Sequence, residues 1–249
     1  MHGVPSDSRI TQFLREGSWE EEASPGPGEI SLSHNGVLFL YEFPEIPRDI
    51  LELLRQPLED GRLTISHAAM SLEFLCNFML LASMNPCPCG YYGAPAGQGD
   101  NRRGCNCAPQ QIQKYRSKIS GPLLDRIDIN LTMPAVEYEK LADARQGESS
   151  IAIRERVVKA SQIQQKRFRT SSTRNNAVMT CRKLEMYSQP SDDSRKLLEQ
   201  AISRMGLSAR AYDRILKVAR TIADLAESVN VETKHVVEVV QYRHLDRPV

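Results

Sequence analysis

The fold is decided by the stretch Gly36-Val37-Leu38-Phe39-Leu40-Tyr41-Glu42-Phe43-Pro44. Five consecutive apolar residues between a glycine and an acid-containing turn are too few for a buried helix. They are typical of a parallel strand that is covered on both faces. Glu42 follows the carboxyl end of that strand, which is the edge at which open α/β sheets bind ligands. Glu42 is therefore a candidate catalytic carboxylate, although a single acid in a turn is more commonly a solvated surface charge.

The composition is that of an ordinary globular protein. The 249 residues are 41% hydrophobic and 25% charged, and a net charge of +1 favours no class of partner. No apolar run approaches the roughly 20 residues that cross a bilayer, and the first residues lack the apolar core of a signal peptide. We therefore expect a cytoplasmic protein without a membrane partner. In that compartment the six cysteines favour thiols or metal ligands over disulfides.

Three regions of the chain differ in their patterns. Residues 1–27, with an acidic run and a Pro-Gly-Pro-Gly stretch, predict a poorly ordered lead-in. Residues 28–135 predict an α/β core with a hairpin at 62–75 and a Cys-rich loop at 86–107. Residues 150–245 show only helical periodicity and predict a small helical lid domain. Its predicted helices span about 150–169, 191–205, 208–227 and 231–242.

A second buried strand is predicted from Phe78 to Met84, and it ends at Asn85-Pro86. If this strand neighbours the first, an amide and the Glu42 carboxylate face one gap of about the size of a water. That pair suits polarising a water for attack on a phosphoryl group. Taken alone, Asn-Pro is equally typical of a turn. A third strand is predicted over Ile127, Ile129 and Leu131.

Four cysteines lie in the predicted loop as a C-x-C…C-x-C set. Four thiolates satisfy tetrahedral zinc, and a metal offsets the entropy of ordering a long loop. The C-x-C spacing is less usual than C-x-x-C, so free thiols remain the alternative. Because sulfur would occupy all four coordination positions of the metal, the zinc would be structural. The set is Cys87, Cys89, Cys105 and Cys107.

Two arginines occupy positions of interest. Arg126 lies between a predicted helix and a predicted strand, where its side chain can reach phosphoryl charge on a neighbouring subunit. Its alternative is a salt bridge with Asp125 or Asp128. Arg210 lies in the first turn of a helix that Ser208 caps, a place that the helix dipole makes unfavourable for a cation.

A basic tract covers residues 151–183, in which Glu155 is the one acid. Its candidate nucleic-acid contacts are Lys166, Arg167 and Arg169, because such a tract can follow a phosphate backbone. A charge run on an exposed helix is more often only solvated, and that interpretation is slightly favoured.

Together these stretches resemble the carboxyl-terminal half of the ComM-type, YifB-like group of magnesium-chelatase-like AAA+ ATPases. The resemblance runs from about Pro27 to Leu245, with several motifs in the family's order. The motifs are Pro27-Gly28-Glu29-Ile30-Ser31-Leu32 through Leu38-Phe39-Leu40-Tyr41-Glu42, then Ala82-Ser83-Met84-Asn85-Pro86-Cys87-Pro88-Cys89-Gly90, Ser120-Gly121-Pro122-Leu123-Leu124-Asp125-Arg126, and Ser208 through Leu225.

The resemblance implies a partial AAA+ P-loop core followed by a helical lid, in a hexameric homo-oligomeric ring that uses ATP and Mg²⁺. It implies that Glu42 is the Walker B catalytic base and that Asn85 is the first sensor. It implies further that Arg126 is the arginine finger and Arg210 the second sensor. Members of this type are associated with DNA remodelling by branch migration, and relatives assist metal insertion into tetrapyrroles.

Two departures from the family pattern are visible. Tyr41 stands where the family has the Walker B aspartate, and a neutral phenol is a poor ligand for Mg²⁺. The 249 residues also contain no G-x-x-x-x-G-K-[ST] loop, and the strand that feeds that loop is central in such sheets. We therefore expect a fragment or degenerate copy of a longer ATPase. It should be ATPase-deficient by itself and poorly stable in isolation.

Three functions follow as hypotheses. The first is the motor half of a DNA-remodelling AAA+ ATPase. The second is a non-catalytic module that binds DNA or sibling subunits through the basic tract and the surface around Arg126. The third is the motor subunit of a metal chelatase.

Overall fold

The computed structural model describes residues 28–67, 70–93, 104–133, 147–171, 173–206 and 208–243. The lead-in predicted at 1–27 lies outside these residues. The chain divides into two compact units, Met1–Ile127 and Asp128–Val249. Among the described residues, no helix combines the length and the apolar character that crossing a bilayer requires.

The first unit is the α/β part, in agreement with the predicted fold class. Its core gathers the buried side chains of several helices and of one face of the sheet. Its elements are α1 (Glu29–Leu32), β1 (Val37–Leu40), a 3-10 turn (Phe43–Glu45), α2 (Arg48–Leu53), α3 (Arg55–Asp60), β2 (Arg62–His67), β3 (Met70–Leu75), β4 (Met79–Ala82), α4 (Pro109–Arg116) and α5 (Gly121–Leu124).

The two strands predicted from apolar runs are direct neighbours. β1 and β4 pair in parallel, with Leu38 opposite Leu80 and Leu40 opposite Ala82. The ladder continues past the strands, because the N–H of Ser83 donates to the Leu40 carbonyl at 2.9 Å and the N–H of Phe43 donates to the Ser83 carbonyl at 2.9 Å. The carboxyl ends of β1 and β4 therefore lie at the same edge of the sheet.

Only one face of this sheet is covered by the described residues. Leu38 and Leu40 are buried in the core, whereas Val37 and Phe39 on the opposite face are 53% and 55% exposed. The prediction that the first strand is covered on both faces is thus wrong for the described residues. Local apolar sequence identifies a strand of this kind, but it does not supply the layer that would cover the second face.

The hairpin predicted at 62–75 is confirmed. β2 and β3 pair antiparallel, from Arg62 opposite Leu75 to His67 opposite Met70. The helix before the hairpin ends at Gly61, whose φ of +66° is a left-handed conformation that glycine adopts without strain. Ile65 is buried, so one face of the hairpin contributes to the packing of the unit.

The third predicted strand is wrong. Residues 127–133 form no strand, and Ile129 and Leu131 are 47% and 67% exposed. A strand needs a neighbour to accept and donate ladder hydrogen bonds, and within the described residues this segment has no strand beside it. The N–H of Asn130 donates instead to the Tyr242 carbonyl at 2.8 Å.

The second unit is helical, and all four predicted helices are present. The additional helix α7 was not predicted, because it spans seven residues and buries only Leu184. The elements are α6 (Ser150–Arg167), a 3-10 turn (Asn176–Val178), α7 (Cys181–Tyr187), α8 (Asp192–Met205), α9 (Ala209–Leu225) and α10 (Thr233–Gln241).

Helix α9 is the centre of this unit. It packs against α6, α7 and α10, and its buried residues include Ile215, Ala219 and Ala223. The small side chains at 219 and 223, four residues apart, lie on one face and let neighbouring helices approach closely. The predicted cap is confirmed, because the Ser208 hydroxyl accepts a hydrogen bond from the N–H of Ala211 at 3.2 Å.

Candidate functional site

Glu42 lies two residues beyond β1, at the shared carboxyl edge of the sheet. Its backbone has φ +52° and ψ +50°, a left-handed conformation that is uncommon for a residue with a side chain. The turn closes where the N–H of Glu45 donates to the Glu42 carbonyl at 2.7 Å. Phe43 and Pro44 are buried by this turn, while the Glu42 side chain stays exposed. Strained backbone of this kind is frequent at functional sites.

Asn85 lies three residues beyond β4 at the same edge, and its side chain is also exposed. Tyr115, a buried residue of α4, lies near this edge. The pKa of Tyr115 is raised, first by burial and then by the negative charges of Glu45 and Glu42.

Tyr115 was missed in the sequence, although one signal was present. Ile112 and Tyr115 are three residues apart on α4 and are both buried, which marks the inward face of that helix. The pattern cannot show that this face meets Asn85, which is thirty residues earlier in the chain.

Glu42 and Glu45 differ in their surroundings. The Glu45 carboxylate pairs with the Lys118 ammonium at 3.0 Å, and the same ammonium lies 5.5 Å from the centre of the Tyr115 ring. Glu45 is therefore engaged in an ion pair beside the strand ends. Glu42 is exposed as well, and no ion pair among the described residues includes its carboxylate.

The residues at this edge do not by themselves fit Mg-ATP. Mg²⁺ is held by oxygen ligands, usually carboxylates, and a phosphate chain is held by a run of backbone N–H groups and a lysine. The edge presents Glu42 and Asn85, and beside them Tyr41, whose side chain is 57% exposed, offers a phenol instead of a second carboxylate. The 249 residues also hold no G-x-x-x-x-G-K-[ST] motif to supply the phosphate-binding N–H groups and lysine.

The Arg126 side chain contacts residues of its own unit. Its guanidinium forms an ion pair with Glu59 of α3, and it donates to the Pro122 carbonyl at 2.5 Å. The side chain is only 8% exposed. The alternative partners Asp125 and Asp128 named from the sequence are not the acid that it meets here. In this conformation the guanidinium is not presented to a neighbouring subunit.

Arg210 lies in the first turn of α9, directly after the confirmed cap at Ser208. Its side chain is exposed. The position predicted for this residue is therefore correct, while its role as a second sensor stays a prediction.

The three basic residues singled out in the tract differ in what they contact. Arg167 donates two hydrogen bonds to the Asp224 carboxylate, at 2.7 and 2.5 Å, and one to the Asn176 side-chain oxygen at 3.0 Å. Lys166 and Arg169 are exposed on either side of it. Arg167 thus serves the packing of the helical unit, and only its two neighbours can meet a backbone phosphate without breaking a buried ion pair.

Asp224 is the centre of a buried ion network. It is fully buried, and besides Arg167 it contacts Arg220, whose side chain also donates to the carbonyls of Ser228 and Val229. Burial alone would raise the pKa of Asp224, but hydrogen bonds from Arg167 and Asn176 and the charge of Arg220 lower it. The carboxylate therefore stays ionised inside the unit, matched by two guanidinium groups.

The four cysteines of the loop form one cluster. Their sulfur atoms all lie within 4.8 Å of one another. The Cys87 sulfur is 3.3 Å from that of Cys89 and 3.7 Å from that of Cys105, and the Cys89 and Cys105 sulfurs are 3.6 Å apart. The structure thus brings together the residues that the sequence spacing predicted as a metal site.

The thiols of this cluster influence one another. The pKa of Cys89 is lowered to about 6, first by a hydrogen bond from the N–H of Tyr91 and then by the Cys87 thiol. The pKa of Cys107 is raised to about 12, because its hydrogen bond to Cys89 and desolvation outweigh a hydrogen bond from the backbone of Cys89. One sulfur thus carries charge readily, while a second does so only beside a cation.

Two family models match this chain. Residues 17–141 match "Magnesium chelatase, subunit ChlI", and residues 147–243 match "Magnesium chelatase, subunit ChlI C-terminal". Together the two models account for both structural units.

Individual proteins similar to this chain include "Competence protein ComM" of Haemophilus influenzae, which is 42% identical over 224 residues. YifB of Escherichia coli is 40% identical over 226 residues, and each alignment covers 90% of this chain and 42% of the relative. The Mycobacterium bovis protein Mb2921c is 36% identical over 217 residues, which cover 87% of this chain and 41% of that protein. The chain thus spans about two fifths of the length of these curated relatives.

Proposed function

The chain belongs to the magnesium chelatase ChlI family, with ComM and YifB among its relatives, and from this we propose that it forms part of an AAA+ ATPase motor. In this proposal Glu42 is the catalytic base and Asn85 is the amide that works beside it. The observation that carries the proposal is the parallel pairing of β1 and β4, which brings both residues to one sheet edge. Tyr41, at the Walker B metal position, weakens Mg²⁺ binding.

The outer edge of β4 supports the proposal that the site is completed by another segment. Met79 and Ser83 exchange hydrogen bonds with β1, so the alternate residues Leu80 and Ala82 direct their backbone groups to the opposite edge. No strand of the described residues pairs with that edge. A strand that leads into a phosphate-binding loop would satisfy these groups and place the loop beside Asn85.

The proposal predicts that the 249-residue polypeptide, purified alone, does not hydrolyse ATP above background. The measurement is steady-state phosphate release with Mg-ATP, compared with the same preparation carrying Glu42→Gln. Equal and background rates are expected. A rate clearly above background that Glu42→Gln abolishes would overturn the ATPase deficiency while supporting the role of Glu42.

Arg126 and Arg210 are proposed to act when subunits assemble into a ring, in line with the family. For Arg126 this requires that the ion pair with Glu59 opens, because the guanidinium is nearly buried. Glu59→Gln should therefore ease subunit assembly, which sedimentation velocity in the presence of nucleotide would measure. An unchanged or lower assembled fraction would count against this role.

DNA remodelling is the proposed use of the motor, and it is supported by the similarity to a protein named for competence. Lys166 and Arg169 are the exposed cations of the tract that we propose contact backbone phosphates. Replacing either by Ala should reduce the slope of log affinity against log salt by about 1. Lys234→Ala, which removes an exposed lysine paired with Glu232, is the control that should leave the slope unchanged.

Two alternatives have specific support. A non-catalytic module is favoured by Tyr41 and by the engagement of Arg126 with Glu59. A chelatase motor is favoured by the name of the matching family models. Salt-dependent DNA binding that maps to Lys166 and Arg169 would separate the DNA-binding functions from the chelatase.

For the cysteine cluster we propose zinc as the metal, with a structural role.

A further inference from the structure

The sulfur cluster has the dimensions of a four-thiolate zinc site. A zinc–sulfur bond is about 2.3 Å long, so two sulfurs on one tetrahedral zinc lie about 3.8 Å apart. The measured separations of 3.3, 3.7 and 3.6 Å are close to that value. Disulfides would require about 2.05 Å, and all four cysteines are free. The sulfurs thus converge on one point rather than pairing with one another.

The backbone beside the sulfurs bends sharply. Gly90, directly after Cys89, has φ +82°, and Gly104, directly before Cys105, has φ +62°. The first turn is closed by the N–H of Gly90, which donates to the Cys87 carbonyl at 3.0 Å. Glycine adopts these left-handed conformations without strain, so the chain can turn beside Cys89 and beside Cys105. Two separate turns of the loop therefore bring sulfur to one point.

The cluster is joined directly to the strand end that carries Asn85. Only Pro86 separates Asn85 from Cys87, whose side chain is fully buried. The Nε–H of Arg116 donates to the Pro86 carbonyl at 3.3 Å, and its guanidinium lies 5.2 Å from the centre of the Tyr92 ring. Helix α4, which supplies Arg116, starts two residues after Cys107.

We propose that Cys87, Cys89, Cys105 and Cys107 bind one Zn²⁺ ion, and that this centre holds the Asn85-Pro86 turn against α4. The metal fixes both ends of the loop, while Arg116 holds the turn through the Pro86 carbonyl. In this arrangement the cysteines and Arg116 are positioning residues for Asn85. The metal site stands on its own geometry, whereas its value for catalysis rests on the function proposed for Asn85.

The metal is tested on the full chain purified under reducing conditions. Elemental analysis should find one zinc per chain, and Co²⁺ substitution should give the absorption spectrum of a tetrahedral four-thiolate site. Cys105→Ser and Cys107→Ser should lose the metal, whereas Cys181→Ser, which replaces an exposed cysteine outside the cluster, should retain it. Wild-type chain that binds neither zinc nor Co²⁺ would overturn the proposal without any variant having to fold.

A milder variant tests the backbone. Gly90→Ala meets no atom within 4 Å of the added carbon, so its effect comes from the left-handed φ alone. It should weaken zinc affinity about tenfold or more, measured by competition with a chromogenic chelator. Gly147→Ala, where the added carbon also meets nothing and φ is not left-handed, should leave the affinity unchanged. Equal affinities in the two variants would show that the turn at Gly90 does not shape the site.

The positioning role is tested by NMR relaxation of the Asn85 backbone amide, with no measurement of ATP turnover. Arg116→Leu removes the donor to the Pro86 carbonyl and should lower the order parameter of that amide toward the flexible range while zinc stays bound. Zinc removal should lower the same order parameter while the helical content of the chain is retained. Zinc binding with no change at Asn85 on zinc removal would overturn the positioning role. Global unfolding on zinc removal would also overturn it, because the metal would then hold the whole unit.

Discussion

The two units of this molecule differ in how completely their helices and strands are covered and paired. In the helical unit the charged groups are matched inside the core, with Asp224 between Arg167 and Arg220, and the capping groups are in place at α9. In the α/β unit the described residues leave one sheet face uncovered and one edge of β4 unpaired. The contrast teaches that Glu42 and Asn85, the residues proposed to act on the attacking water, lie in the less complete unit.

The difference follows from what each architecture needs. A helix satisfies its backbone internally, so a few amphipathic helices can close a core among themselves. A parallel strand needs neighbours at both edges and layers on both faces. One chain can therefore hold a closed helical unit and also a sheet whose described strands leave a face and an edge uncovered. The predictions below test this contrast, from the largest expected effect to the smallest.

The largest effect is expected in the helical unit at Asp224. Asp224→Asn removes the charge that compensates two nearly buried guanidinium groups, so the free energy of unfolding should fall by about 3–5 kcal/mol. Urea denaturation followed by far-ultraviolet circular dichroism measures this loss. Glu199→Gln, on the exposed face of α8, is the control and should change stability by less than about 0.5 kcal/mol. Equal stability of the two variants would contradict a closed and self-matched helical unit.

Two adjacent residues of β1 test the half-covered sheet. Leu40 is 6% exposed and Phe39 is 55% exposed, on opposite faces of one strand. Leu40→Ala should lower the free energy of unfolding by about 2–5 kcal/mol. Phe39→Ala should lower it by less than about 1 kcal/mol, because little of its surface is buried on folding. Similar losses in both variants would mean that the second face is covered in solution.

A pH effect is expected from His235, which is buried in the helical unit. Burial lowers its pKa from 6.5, so the unfolded chain takes up a proton before the folded chain does. Stability should therefore fall as the pH drops below about 6.5, by at most about 1.4 kcal/mol per pH unit. Thermal melts of wild type and His235→Gln between pH 7 and pH 5 measure this loss, and the variant should show a flatter dependence.

Asp224 affects stability only at lower pH. Because its pKa is lowered from 3.8 in the folded chain, its contribution to the free energy of unfolding is fully present above pH 3.8 and is lost as the pH falls through the pKa of the folded state. A slope that survives His235→Gln would contradict the assignment to this histidine.

The smallest effect concerns the cap of α9. Ser208→Ala removes the hydroxyl that accepts from the N–H of Ala211 and should lower stability by about 1 kcal/mol. Ser203→Ala, at an exposed position inside α8, should leave stability unchanged or raise it slightly, because alanine is the better helix former. Urea midpoints compare the two, and equal midpoints would show that the cap does not stabilise the unit.

Much of this architecture could be predicted from local patterns. The apolar runs gave β1 and β4, helical periodicity gave α6, α8, α9 and α10, and Ser208 was identified as a cap. The cysteine spacing predicted a cluster that the structure brings together. Each of these features depends on residues that are close in sequence, or on a side chain whose chemistry restricts its partners.

The remainder depends on contacts between distant residues. The segment around Ile129 has the composition of a strand, but only a neighbouring strand could make it one. The partner of Arg126 is Glu59, 67 residues away, and the Arg116 side chain donates to the Pro86 carbonyl, 30 residues away. Arg167 likewise pairs with the distant Asp224, whereas Lys166 and Arg169 are exposed. The sequence alone could not distinguish these three basic residues.

The central claim is that Glu42 is the catalytic base of a nucleotide site that another segment completes. It is tested most directly by ATP turnover of this chain joined to the segment of a longer relative that carries a G-x-x-x-x-G-K-[ST] loop. Glu42→Gln should lower the turnover by at least about 10²-fold, the range for removing a general base. Glu45→Gln, which replaces the carboxylate paired with Lys118, should leave most of the turnover. Turnover that survives Glu42→Gln, or falls equally in both variants, would contradict the claim.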